Sequence, residues 1–306
     1  MMTKPLVSVI IPNYNHARFL RERIDSVLAQ DYDDYEIILL DDHSTDDSAE
    51  ILKSYAENPH IAQIVFNEQN SGGPFSQWNK GIALARGEYI WIAESDDVAN
   101  PRLLGTLMRE ISKHPDAVVA FAHSQLIDKK SDKLPYGWHD EDTHEVYVYD
   151  GHQFVMDKML TSNYIYNASM ALFRKSAYEM VDTGFVRYSY CGDWAFWIDL
   201  SLKGKVIEVC SVLNSYRQHK GQTTLESVKS GVKWIEMGHV LKYAINLLNL
   251  SPFQRQCLRG RYTKRFRKEE IPNKEEVLAQ HREVFGGSSW DICCYEIGKL
   301  FNFLKS

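Results

Sequence analysis

Val7-Ser8-Val9-Ile10-Ile11-Pro12-Asn13-Tyr14-Asn15 is a short apolar strand that stops at a proline and turns polar. Outward from it, Leu20, Ile24, Val27 and Leu28 follow at the i, i+4, i+7, i+8 spacing of a helix with one buried face. A second strand is expected at Glu36 to Leu40, then a helix over Asp46 to Glu57 with Ser44 or Thr45 as its cap. Ile61 to Phe66 reads as a third strand, Phe75, Trp78, Ile82 and Leu84 mark a helix, and Glu88 to Ala93 is the next strand. Asn100-Pro101, a cap followed by a first helical position, starts a helix reaching His114, and Ala117 to Ala122 is a further strand. Strands alternating with helices predict an α/β fold with a Rossmann-like, mostly parallel central sheet flanked by helices.

From residue 123 the alternation loosens. Asp128 to Asp142 is charged and rich in turn formers, a long surface loop of the kind compact domains keep for binding or for mobility. Ala168 to Arg174 and Lys205 to Cys210 read as strands, and Asp193 to Lys203 as a helix with Trp194, Trp197, Ile198 and Ser201 along one side. Beyond Leu225, Trp234, Met237, Leu241, Ala244, Ile245 and Leu248 form the apolar stripe of an amphipathic helix, so the tail is helical. The expected division is an α/β half over 1–122, a second half of the same domain over 123–225, and a helical C-terminal extension over 226–306.

With 306 residues and 44% hydrophobic content the chain can bury a sizeable core. Its five cysteines lack metal-type spacing and include the adjacent Cys293 and Cys294, which argues against a disulfide framework or a zinc site and for a reducing compartment. The balance of 41 acids to 35 bases argues against nucleic acid as a partner. No run approaches the roughly 20 apolar residues of a membrane span. Leu6 to Ile11 is too short for a secretory leader and has no basic segment before it, so a soluble, cytoplasmic protein is expected.

In an open α/β sheet, ligands bind beyond the carboxyl ends of the strands. Three polar clusters stand there: Pro12-Asn13-Tyr14-Asn15, Asp41-Asp42-His43-Ser44-Thr45-Asp46-Asp47, and Glu94-Ser95-Asp96-Asp97. Nine acids and no Lys or Arg lie between Asp31 and Glu50, an imbalance that solvent or a cation must offset. Helix capping accounts for Ser44 to Asp47, whereas Asp41-Asp42 is open to both capping and ligand contact. In an extended chain Glu94 and Asp96 face the same way, with Asp97 beside them. Such carboxylates suit a hard cation, Mn²⁺ or Mg²⁺, that keeps positions open for phosphate oxygens.

Together these segments resemble a family 2 glycosyltransferase of the GT-A fold. The matching stretches are Val7 to Asn15, Glu36 to Asp46, Asn70-Ser71-Gly72, Asn79-Lys80-Gly81-Ile82, Ala85-Arg86-Gly87-Glu88-Tyr89-Ile90 and Glu94-Ser95-Asp96-Asp97. They cover residues 5 to 115 strongly and 165 to 225 more loosely. The resemblance implies an inverting, metal-dependent transferase of hexosyl or N-acetylhexosaminyl type, working in cell-surface polysaccharide synthesis. Its donor would be a nucleotide-sugar, with UDP favoured, and its acceptor a saccharide or lipid-linked saccharide. A degenerate sugar-nucleotide-binding assembly subunit is the alternative. The dinucleotide fingerprint G-x-G-x-x-G and the Walker A pattern are both absent, and Pro12 to His16 lacks the Gly-rich loop of a nucleotidyltransferase.

Carried over residue by residue, the resemblance places Tyr14 on the nucleobase and Asp42 in hydrogen bonding to it. It puts Pro12, Asn15, Asn70, Gly72, Asn79 and Ser95 in the same nucleotide site. The family's Asp-x-Asp motif falls on Glu94-Ser95-Asp96, with Glu94 in place of the acid that meets the ribose. Metal ligation falls to Asp96, alone or with Asp97. Cys191-Gly192-Asp193-Trp194 resembles the motif whose Asp is the general base, so Asp193 is the catalytic candidate, although it also stands where a helix cap would. Trp194 and Trp197 are candidates for an acceptor platform or for core. Tyr216-Arg217-Gln218-His219 with Gln222-Thr223-Thr224 is similar to the trailing motif whose His nears the diphosphate or metal, against the plain reading of His219 as structural.

Arg255, Arg259, Arg261, Lys264, Arg265, Arg267 and Lys268 form a basic run without an acid over 255–268. It reads as a solvated helix face or as a peripheral contact with anionic lipid at the inner membrane surface. The tail is equally open to a homodimer contact.

Overall fold

Every residue of β1 (Val7–Asn13) and β2 (Tyr35–Asp41) is buried, as strands covered by helices on both faces must be. The computed structural model describes residues 6–137, 142–219, 230–271 and 273–300. After β1 come α1 (Ala17–Leu28), β2, α2 (Ser48–Lys53), β3 (Ile61–Phe66), α3 (Pro74–Leu84), β4 (Tyr89–Ile92), β5 (Val98–Ala99), α4 (Leu103–Ile111) and β6 (Ala117–Ile127). The second half supplies β7 (Val146–Tyr149), α5 (Gly151–Phe154), β8 (Ala171–Arg174), α6 (Lys175–Tyr178), α7 (Gly192–Ser201) and β9 (Lys205–Arg217). Four helices close the described chain: α8 (Val232–Leu248), α9 (Pro252–Lys268), α10 (Lys274–Phe285) and α11 (Ser289–Leu300).

The sheet runs β3-β2-β1-β4-β8-β6-β9-β5, with β7 also on β9. β1 lies parallel between β2 and β4, with Asn13 opposite Asp41 and Val7 opposite Tyr89, while β8 runs antiparallel to both its neighbours. Strand order therefore reverses at β1, and the crevice beyond its carboxyl end is the expected ligand position. Period-2 alternation splits the core. Val7, Val9 and Ile11 pack with Leu20, Ile24 and Leu107, whereas Ile10, Ile38 and Leu40 share a cluster with Phe75, Trp78, Trp194, Trp234 and Tyr262. The helical tail is thus part of the same core as the sheet. Among the described residues no helix is long and apolar enough to cross a membrane.

The Ala85-Arg86-Gly87-Glu88 segment has a local purpose. Buried Glu36 accepts from Ser8 Oγ at 2.7 Å and from the Arg86 amide at 2.8 Å, while the Gly87 amide donates to Ser8 Oγ at 2.8 Å. A Cβ at Gly87 would lie 2.6 Å from the Ser8 nitrogen, so only glycine lets this turn close on β1.

Several boundaries differ from the sequence reading. Helix α2 starts after Asp47, and neither Ser44 nor Thr45 caps it, because Ser44 Oγ receives the Asn15 amide at 2.9 Å. Asp46 instead splits its carboxylate between Ala17 N at the start of α1 and Ser48 N. Asn100 forms a turn with Arg102 N and α4 begins at Leu103. Strand β6 continues to Ile127, across the expected division at 122/123, and β9 continues to Arg217. Part of the expected loop is ordered by a bridge between Ile127 and Lys133, and residues 138–141 lie outside the described residues. Helix α7 has no single apolar face: Trp194 through Ser201 are all buried.

Candidate active site

Three turns meet at the carboxyl ends of β1, β2 and β4. Asn13 Nδ2 donates to Asp41 Oδ1 at 2.9 Å, and Asp41 Oδ2 accepts from Ser44 N at 3.0 Å, so Asp41 ties the first turn to the second. Asp42 gathers the third segment. Its carboxylate receives Asn67 Nδ2 at 2.6 Å, Ser71 N at 2.9 Å, Ser71 Oγ at 2.8 Å and Gln77 Nε2 at 2.9 Å. Those donors occupy most of what a carboxylate can accept. Asn70 Nδ2 donates to the Asp42 carbonyl, and Gly72, at φ +87°, donates its amide to Asn70 Oδ1.

A cavity of about 700 Å³ is lined by Pro12, Tyr14, Asp42, Asn70 and Gly72 from the first half of the chain and by Ser189, Tyr190, Asp193 and Trp194 from the second. Tyr14 is 47% exposed, which leaves its ring open to a planar ligand. Glu94, Ser95 and Asp96 lie on the wall between them in sequence. The chain is not extended there: Asp97 N turns back toward the Glu94 carbonyl. That turn puts three successive residues on the cavity and sends the fourth inward.

Asp97 is therefore corrected as a metal candidate. It is 1% exposed, lies off the cavity wall and accepts from Asn167 Nδ2, Ser169 Oγ and Arg217 N at 2.7–3.0 Å. Asn15 is also redirected, its Oδ1 accepting from Thr45 N at 2.7 Å. Asn79 accepts from the Tyr178 hydroxyl, off the cavity. Trp197 is fully buried against Phe196, Phe173 and Trp78 and offers no platform. Trp194 does line the cavity, held by a bond from its Nε1 to the Met159 carbonyl at 2.9 Å. Gln222, Thr223 and Thr224 lie outside the described residues.

At the end of β9, His219 Nε2 bonds Asp96 Oδ2 at 2.9 Å. His16, which nothing in the sequence singled out, sits beside them with Nδ1 2.8 Å from Ser95 Oγ and its ring edge-on to His219. One ligand atom from each of His16, Asp96 and His219 falls within 4.8 Å of the others. Two imidazoles and a carboxylate this close together are a donor set that fits a divalent transition ion. Arg217 secures this corner, with Nε on the Asp96 carbonyl and NH2 on Glu22 Oε2 at 2.7 Å.

Burial opposes ionisation throughout the corner. It raises Glu94 to about 8, with Asp96 adding repulsion, although Trp78 Nε1 donates to Glu94 Oε1 at 2.7 Å. Burial and the Asp96 charge raise Asp97 to about 6. Burial acts on Asp96 too, but the His219 bond and the two histidine charges outweigh it and hold its carboxyl below the ordinary range. Fully buried Arg23 lies over the Trp91 indole at 5.2 Å, where its charge favours ionised Asp97 and Glu94.

Asp193 opens α7. It accepts from Trp194 N at 2.7 Å and Asn163 Nδ2 at 2.8 Å, and burial raises its carboxyl to about 7. The loop before it is fastened from the tail: Glu236 on α8 takes Ser189 N, Tyr190 N and Cys191 N at 2.7–2.8 Å. A lone acid inside an amphipathic helix gave no sign of this in the sequence.

The family model for glycosyl transferase family 2 matches residues 8–181. The chain belongs to glycosyltransferase family 2. It is 37% identical over 115 residues to glycosyltransferase GlyG of Streptococcus pneumoniae, covering 37% of this chain and 38% of GlyG. A Haemophilus influenzae glycosyltransferase is 27% identical over 222 residues, 72% of this chain and 68% of that protein. The chain thus spans less than half of GlyG. Among solved structures, S. aureus TarS 1–349 in complex with UDP superposes with a TM-score of 0.67 at 18% identity, covering 91% of this chain and 80% of that one. A mannosyltransferase of Pyrobaculum calidifontis, in complex with GDP-Man and Mn²⁺, gives 0.53 at 16% identity, covering 99% and 82%. The fold of family 2 glycosyltransferase structures, the GT-A type, is that of this chain.

Proposed function

We propose that the protein transfers a sugar from a nucleoside-diphosphate donor, a UDP-sugar, to a hydroxyl of a saccharide or lipid-linked saccharide, with inversion, in cell-surface polysaccharide synthesis. The observation that carries this reading is that one cavity is lined both by Glu94, Ser95 and Asp96 and by Asp193. UDP is favoured because TarS, similar in fold, is seen with UDP and with UDP-GlcNAc.

In this reading the exposed Tyr14 ring stacks on the base, and Glu94 meets the ribose side of the donor. His16, Asp96 and His219 would hold a divalent ion, which when bound neutralises charge on the departing diphosphate. The acceptor hydroxyl hydrogen-bonds to Asp193. As its oxygen forms a bond to the anomeric carbon, the bond from that carbon to the diphosphate oxygen breaks on the opposite face, and the hydroxyl proton passes to Asp193. A carboxyl near 7 is a stronger base than an ordinary aspartate and is still ionised in a useful fraction at neutral pH.

Calorimetric titration with UDP, GDP and dTDP, each with Mn²⁺ and again with EDTA, tests the donor assignment. Selective binding lost on chelation is the expected result; binding of none of the three would overturn it.

Glu236→Gln tests how the base is placed. The amide leaves one acceptor oxygen for three backbone donors and turns an N–H against them, with a stability cost of about 2–3 kcal/mol for bonds to a buried charge. The expected result is a kcat at least about tenfold lower with UDP affinity within about twofold of wild type, read by donor turnover and calorimetry.

A further inference from the structure

The basic run over 255–268 is dispersed around α9. Arg255 bonds the Leu250 carbonyl, Arg261 the Tyr295 hydroxyl, Lys264 Glu296, and Arg267 Ser289 Oγ. Of the seven cations only Arg265 lines the cavity, and it does so together with Lys233 of α8. Lys233 Nζ stands 5.9 Å over the ring of Tyr190, three residues before Asp193, and Arg265 lies 5.9 Å over Trp234.

Two cations thus line the cavity that Asp193 also lines, one of them over the ring of Tyr190 in the segment before it, in a chain of formal net charge −6. Neither forms an ion pair or a hydrogen bond among the described residues. Glu236, the nearest acid on the same helix, is taken up by three backbone amides. Glu269, at the end of α9, acts on Lys233 only through its field. Burial and the Arg265 charge both lower the Lys233 ammonium. Like charges held together at the edge of a cavity are destabilising until an anion joins them.

We infer that Lys233 and Arg265 form an anion subsite beside the general base, and that the acceptor carries a phosphate group near the hydroxyl that receives the sugar. This rests on the transferase reading, in which the donor diphosphate is met at the Asp96 corner and leaves these cations to the acceptor.

The test uses sn-glycerol 3-phosphate as probe and glycerol as its uncharged control. Each is titrated into protein saturated with Mg²⁺ and whichever nucleoside diphosphate binds most tightly. The expected result is saturable binding of the phosphate probe and none of glycerol. In the Lys233→Gln, Arg265→Gln double variant, phosphate affinity should fall at least tenfold while nucleotide affinity stays within twofold. Both side chains are at least partly exposed, so the variant should fold, and a melting curve with nucleotide present verifies it.

Absence of phosphate binding to nucleotide-loaded wild type, or equal binding to the double variant, would overturn the subsite and leave the transferase reading intact. A matching loss of nucleotide affinity in the variant would assign the cations to the donor diphosphate and overturn it too. Failure of wild type to bind any nucleoside diphosphate would bring down the transferase reading itself.

Discussion

Asp193→Asn should lower kcat by at least about 10³-fold while leaving nucleotide affinity within about twofold, because in the proposed transfer it removes the proton acceptor and little else. The substitution is nearly isosteric. The new amide oxygen can keep the Trp194 amide, and Asn163, whose Oδ1 has no partner, can flip to receive the new amide nitrogen. A pure capping role predicts something different, a loss of stability with activity largely kept. The pH dependence separates the two as well. Wild-type kcat/KM should fall as pH drops through about 7, where the carboxylate takes up its proton.

Stability should move in the opposite sense. Burial raises the folded carboxyl to about 7 from 3.8, so between those values the folded chain holds a proton that the unfolded chain has lost. The Asp193 contribution to wild-type stability therefore falls as pH rises across that window and levels off above about 7. The advantage of Asp193→Asn over wild type should grow across the same range, and melting at pH 8 should occur at least about 2 °C higher in the variant. A variant that melts lower at pH 8 would count against an ionised, buried base.

Asp96→Ala should remove the dependence of nucleotide binding on divalent ion and reduce kcat/KM by at least about 10³-fold. Asp96 is the one carboxylate in the His16 and His219 group, and two neutral imidazoles bind Mn²⁺ or Mg²⁺ poorly alone. The backbone of the corner should survive, since Arg217 holds the Asp96 carbonyl and not its side chain. Calorimetry with and without EDTA reads the result. Unchanged chelation sensitivity would move the ion elsewhere. The Asp97→Asn variant, by contrast, should weaken folding first, through its bonds to Asn167, Ser169 and Arg217 N.

Strand-end reasoning reached the α/β fold and the cavity residues of β1, β2 and β4, because apolar runs ending in polar residues are local signals. It left Asp97 and Trp197 open for a local reason too: alternation does not carry past Ile92 into what is a turn, and a helix buried on all sides shows no stripe to separate a platform from core. His16 was silent. Its significance arises only when the end of β9 returns to the start of α1, a contact no spacing encodes. Glu236 and Lys233 were hidden for the same reason, being polar residues of an amphipathic helix until the fold turns them toward the loop before Asp193 and the cavity.

The Glu236 clamp also orders events in time. Domains form from the N-terminus as synthesis proceeds, and the loop Ser189-Tyr190-Cys191 leaves the ribosome well before the residue that fastens it. Until α8 has been made and has docked, the three amides of that loop lack their acceptor and Asp193 follows an unfastened segment. In the proposed transferase the placing of the base thus waits on a helix made after every described strand of the sheet.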